Sequence, residues 1–261
     1  MAPVYAHEGP FKLLESPLFR LRKEDPSNND ESLYVASEMC AVHNLIVRGL
    51  NSIYLQAPHI KPADEKDFTA YMDLWCILVN THHHEEEAYF FPWVEELTGE
   101  KGLMAGNLEQ HKAFHGGLEH FMAYVADLQA GKQKYDGKKV LELIDNFGQV
   151  LTEHLSDEIP TLLGLKKYSA IFTGENSLKK KMDTMGKDAM GSVSLSKLAV
   201  MFANIDVEYE DGLWKSWPPA PGFIKLLLRY IFYPLNSNET RFGACDKHGR
   251  LQPLYAVADK E

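Results

Sequence analysis

The sequence predicts an all-α chain organised around a four-helix bundle, on three observations. Apolar residues recur at helical spacing through residues 30–165, interrupted by Pro- and Gly-containing breaks. The breaks are short, which suits antiparallel neighbours. Every histidine except His7 and His248 lies between His43 and His154, and several sit one helical turn from a second histidine or a carboxylate.

Residues 1–29 read as an irregular arm that closes with Asp25-Pro-Ser-Asn-Asn-Asp30. Asp30 is placed to cap a helix running to about Gln56, which Ala57-Pro-His-Ile-Lys-Pro62 then breaks. A second helix starts near Asp64 and reaches about Leu97, with Pro92 expected to kink it. A third covers Leu103 to Ala130 and is closed by Gly131. A fourth covers Lys138 to Leu163, with Pro160 near its end.

Residues 30–165 are therefore read as the bundle and 166–261 as a helical and coil extension packed on it. In the extension, residues up to Gly191 suggest a solvated loop or short helix, and Ser192–Ile205 has helical periodicity. Phe223, Ile224, Leu227, Leu228, Ile231 and Phe232 form an apolar run expected to be buried against the outside of the bundle. Trp214 and Trp217, beside Pro218 and Pro219, are placed to form a stiff wall.

Hydrophobic (45%) and charged (25%) contents are those of a soluble globular chain. A net charge of −10 argues against non-specific nucleic-acid binding, which needs cationic side chains to neutralise phosphates. The N-terminus does not read as a signal peptide, and Phe223–Leu235 is too short and too charged to span a bilayer. Cys40, Cys76 and Cys245 read as buried, reduced thiols, which together with these features points to a cytoplasmic protein. The oligomeric state is left open.

The chemistry concentrates in His43, Thr81-His-His-His-Glu-Glu-Glu87, His111-x-x-x-His115 and His154-x-x-x-Glu158. Each lies at a matching depth in its helix, so an antiparallel bundle brings them to one level. On the second helix His82/Glu86 and His83/Glu87 are both one turn apart, and both stripes are plausible inward faces. The stripe of His82 and Glu86 is preferred because Trp75 and Trp93 extend it, with Glu85 a weaker candidate. Glu158 is in register with His154, whereas Asp157 is one residue short of the turn. The resulting set is His43, His82, Glu86, His111, His115, His154 and Glu158.

Burying so many ionisable groups without a cation would cost several kcal/mol each, of order ~3. The set exceeds the four ligands of a structural zinc site. It fits two six-coordinate ions that share two carboxylates and an oxo or hydroxo group, with one position open for dioxygen or peroxide. It is richer in nitrogen than the ferritin-like pattern, which favours lower oxidation states.

These residues, in this order and spacing, resemble the hemerythrin-like (HHE cation-binding) family over about residues 30–165. The resemblance implies an up-down-up-down bundle holding a non-heme di-iron centre, with iron in preference to manganese or zinc. It implies that the seven residues above are the ligands and that Glu86 and Glu158 bridge. His154-x-x-x-Glu158 stands where oxygen-carrying members have His-x-x-x-x-Asp, which points away from simple oxygen transport. The Trp-Pro-Pro and Arg241-Phe-Gly-Ala-Cys-Asp246 segments are similar to stand-alone fungal members.

The function expected is a di-iron oxidoreductase that activates dioxygen or peroxide and acts on a small organic molecule. The aromatic extension is what separates an enzyme, which needs walls for a substrate, from a protein that only binds or senses dioxygen, nitric oxide or iron.

Overall fold

The computed structural model describes residues 2–21 and 30–257. The expected loop from Asp25 to Asn29 lies outside them. Four long helical stretches form the bundle. They are α1 (Glu31–Gln56), α2 (Glu65–Glu85) continued by α3 (Phe91–Thr98), α4 (Ala105–Gln129), and α5 (Gly137–Asp145) continued by α6 (Gly148–Gly164). α1 packs on α2 and α6, and α4 packs between α2 and α6, so the four stretches close a ring in up-down-up-down order. Among the described residues, an isolated bridge between Cys245 and Leu251 is the extended pairing present.

The ends of these helices follow from local chemistry. The Asp30 carboxylate accepts from the Ser32 amide at 2.9 Å, and Asp136 accepts from the amides of Lys138 and Lys139. Gly99 takes a left-handed conformation at φ 70° and closes α3. Between α2 and α3 the helix widens at Glu86–Phe90 into a π-turn, in which the Phe91 amide bonds back to the Glu86 carbonyl. Pro92 explains it: proline has no N–H and crowds the carbonyl four residues earlier, and one wider turn relieves both. The expected kink is thus absorbed as a widened turn that begins at Glu86. The fourth stretch departs from the single helix expected. It breaks at Asn146–Phe147, which seats the buried Phe147 ring 5.8 Å from Phe121 and 6.3 Å from Trp75. Gly148 then lets Phe11 of the N-terminal arm approach so closely that a Cβ there would stand 2.6 Å from it.

Two apolar clusters fill the bundle. One holds Leu50, Phe68, Met72, Trp75, Phe114, Phe121 and Leu151. The other holds Met39, Phe90, Phe91, Val94, Met104 and Leu162. The histidine and carboxylate residues fall between them on every helix, so the polar layer is sealed by hydrocarbon above and below.

The extension packs on this bundle. α7 (Leu178–Gly191) adds Leu178, Met182 and Met185 to one cluster, and α8 (Leu195–Met201) adds Leu198, Val200 and Met201 to the other. Phe242 is fully buried, with its ring 5.1 Å from Phe68 and its carbonyl held by Ser52 and Gln56. Arg241 pairs with Asp64 at 3.1 Å and Asp67 at 2.7 Å. The apolar run at 223–232 corrects the expectation of full burial. There α9 (Gly222–Leu227) runs into a second π-turn before Pro234. Leu228 is buried and Ile224 and Phe232 pack on the core, while Phe223 (64%), Ile231 (48%) and Leu227 (37%) stay exposed. A helix lying on a surface buries one stripe, here residues 224, 228 and 232 at i, i+4, i+8, and the others face out. The three cysteines are buried and free.

Candidate metal centre

Six of the seven residues expected as ligands come together in the polar layer. His43 is fully buried on α1, and His82 stands at the end of α2 with its side chain 8% exposed. Glu86 opens the π-turn, His111 lies on α4, and His154 and Glu158 lie one turn apart on α6, all buried. His83 joins them, also buried. The donor atoms form two groups, each with all members within 4.8 Å of one another: His43, His82, Glu86 and Glu158, and His83, Glu86, His111 and His154. Glu86 belongs to both. One of its oxygens lies 3.2 Å from His82 Nε2 and the other 3.5 Å from His111 Nε2.

His115 is a correction. Its side chain is 61% exposed and lies 3.6 Å from Glu119, on the outside of α4. Residues His111, Phe114, Leu118, Phe121 and Val125 form the inward stripe of that helix. At about 100° per residue, position 115 falls on the rim of that stripe and Phe114 takes the inward place. His83 completes the second group instead. The stripes of His82 and His83 read as alternatives in the sequence, but adjacent residues on a helix diverge by about 100°, so the pair straddles the centre with one imidazole in each group. Glu87 is turned outward, half exposed, and accepts from His111 Nδ1 at 2.6 Å. Asp157 accepts from Gln110 on the surface, and Glu85 faces a neighbouring cavity.

The hydrogen bonds around the layer orient the rings. His43 Nδ1 donates to the Leu155 carbonyl at 2.8 Å, His111 Nδ1 to Glu87, and His154 Nδ1 to Gln110 Oε1 at 3.2 Å. In neutral imidazoles this leaves each Nε2 as a lone pair aimed inward. Nε2 of His111 and Nε2 of His154 lie 3.0 Å apart, close enough to serve one cation together. Both carboxyl oxygens of Glu86 and of Glu158, and Nε2 of His43, His82 and His83, are buried with no hydrogen-bond partner among the described residues. Burial and then the other imidazoles push His82 and His83 well below the usual histidine range, and burial followed by His111 takes His154 down to about 2. Burial, and then repulsion from Glu158, hold Glu86 well above the usual carboxylate range. A buried layer of imidazole nitrogens and carboxyl oxygens without partners among the described residues is the arrangement a bound cation would relieve, and the donor set fits such an ion.

One consequence separates the two histidines. His83→Ala is expected to lose the occupant of the second group, whereas His115→Ala leaves metal content at the wild-type value. Metal analysis of the two purified variants checks this. Equal loss in both would return His115 to the ligand set.

Beside the layer lies a cavity of about 160 Å³. His82, Glu85 and Glu86 line one side of it. The rest is largely apolar, with Met182, Met185, Met190 and Met201 from the extension and Trp217 and Pro218 as a rigid wall. Trp217 therefore forms the wall expected of it. Trp214 faces elsewhere, 6.3 Å from Tyr34, and donates to Glu210.

Residues 36–165 match the model of the hemerythrin HHE cation binding domain. Over 261 residues the chain is 33% identical to the dimeric xanthone biosynthesis cluster protein R11 of Cryptosporiopsis sp. (strain 8999), covering 98% of this chain and 95% of that one. The similarity thus includes the extension as well as the bundle. No solved structure matches the chain.

Proposed function

The chain belongs to the hemerythrin HHE cation-binding domain family, and from that premise we propose that it is a di-iron oxidoreductase in which dioxygen or peroxide oxidises a planar aromatic substrate. The observation that carries the reading is the cavity: His82 and Glu86, two of the converging donors, form part of its lining. One ion would be held by His43, His82, Glu86 and Glu158, and the other by His83, Glu86, His111 and His154, with Glu86 shared. Iron suits mixed imidazole and carboxylate donors, and the count exceeds what a closed zinc tetrahedron uses. When bound, the iron supplies a position for the oxidant and the electrons that reduce it.

The protein's own contribution is positioning. Apolar walls exclude water and hold a flat ring system against the His82 and Glu86 side of the cavity. Methionines suit this task because their unbranched thioethers adapt to the shape of a ring. The name of the relative supports the substrate class: a xanthone is a planar aromatic, and the relative matches along the extension that supplies Met182, Met190 and Trp217. A protein that only bound dioxygen would need the bundle alone.

The test is anaerobic loading with ferrous iron, followed by air. About two iron ions per chain are expected. Oxygen uptake should continue when a polyhydroxylated aromatic and a reductant are supplied, with a new product by mass. A reversible optical change without uptake would replace the enzyme with a carrier or sensor. A stoichiometry near one would overturn the dinuclear centre.

A further inference from the structure

Of the carboxyls that line the cavity outside the metal layer, Glu38 is buried, while Glu85 and Asp183 are partly exposed. Glu38 lies on α1, five residues before His43, and only 4% of it is exposed. Its Oε1 accepts from the Trp217 indole at 3.1 Å, while its Oε2 is buried with no hydrogen-bond partner among the described residues. An unpaired carboxyl oxygen in an apolar cavity is costly, and such atoms are normally satisfied. Glu38 lines the cavity together with Trp217 and Asp183.

Resting on the reading of this cavity as the substrate site, we propose that Glu38 binds a phenolic hydroxyl of the aromatic substrate and accepts its proton. The phenol O–H bond breaks, a new O–H bond forms on Oε2, and the electron pair stays on the phenolate oxygen. An ionised phenol is the more electron-rich and more readily oxidised form, so the transfer prepares the ring for the oxidation proposed above.

The surroundings suit a group that takes and returns a proton near neutrality. Burial, with the negative charge of Asp183, pushes Glu38 up to about 7 against the opposing indole bond and Lys179. Tyr34 on the same helix is a further titratable neighbour, and burial with the charge of Glu38 pushes it to about 12, so it does not compete. Across the cavity stand His82, Glu85 and Glu86. Trp217 is a positioning residue here: its N–H occupies Oε1 and leaves Oε2 for the ligand.

The test uses the full chain loaded with iron under anaerobic conditions, titrated with a hydroxyxanthone, its O-methyl ether and unsubstituted xanthone. The wild-type protein is expected to bind the hydroxylated compound at least about ten-fold more tightly than the ether, with the red-shifted absorption of a phenolate, as a hydrogen bond to a charged group implies. In Glu38→Gln the preference should fall to near parity and the phenolate band should vanish, while iron content and xanthone binding stay unchanged. Equal binding of all three compounds by the wild type would overturn the role of Glu38 and leave the cavity reading standing. Binding of none of them would overturn both. The comparison within the wild type needs no variant, so the proposal stays testable if Glu38→Gln fails to fold.

Discussion

Glu86→Gln is expected to empty both metal positions, whereas Glu85→Gln leaves them filled. Glu86 is shared by the two donor groups, with one oxygen toward His82 and the other toward His111. The amide keeps the shape but removes the charge, and its NH₂ group would point a donor where a cation must sit. Glu85 lies one residue away, faces the organic cavity and belongs to neither group. Metal analysis should give the Glu86 variant less than about a tenth of the wild-type content, the size of effect that removing a charged ligand carries. Glu158→Gln should be less severe, since Glu158 belongs to one group. Equal losses in the Glu85 and Glu86 variants would show that the inward face has been misassigned.

Ending the chain after Lys167 is expected to leave an insoluble or loosely packed bundle. The removed segment includes Phe172, Leu178, Met182, Leu198, Val200, Met201 and Phe242, all buried among bundle residues. Burying each is worth ~1.5–3 kcal/mol, and a domain's whole stability is only ~5–15 kcal/mol. The loss also exposes Phe68 and Tyr71, which Phe242 covers, and removes most of the apolar cavity wall. Thermal unfolding and light scattering of the shortened chain check this. A monomeric product with the wild-type midpoint and full metal content would make the extension an accessory and remove the main support for an enzyme.

The bundle and the level of its polar layer were determined by the sequence alone. Helical periodicity, the Asp30 cap and the breaks at Pro58 and Gly131 are local signals, and local signals fix where helices begin and end. The register of Glu158 with His154 followed from one-turn spacing, because that spacing is a property of a single helix. Rotation of a helix about its own axis is not such a property. Whether His115 faces the centre depends on how α4 packs between α2 and α6, and there Phe114 takes the inward place and His115 is exposed. The widened turn at Glu86 and the division between buried Leu228 and exposed Phe223 were decided in the same way, by proline sterics and by one-sided packing. The cavity needed the tertiary structure most of all. It joins Glu38 and His82 to methionines and a tryptophan about a hundred residues or more later in the chain, and no local pattern announces that they meet.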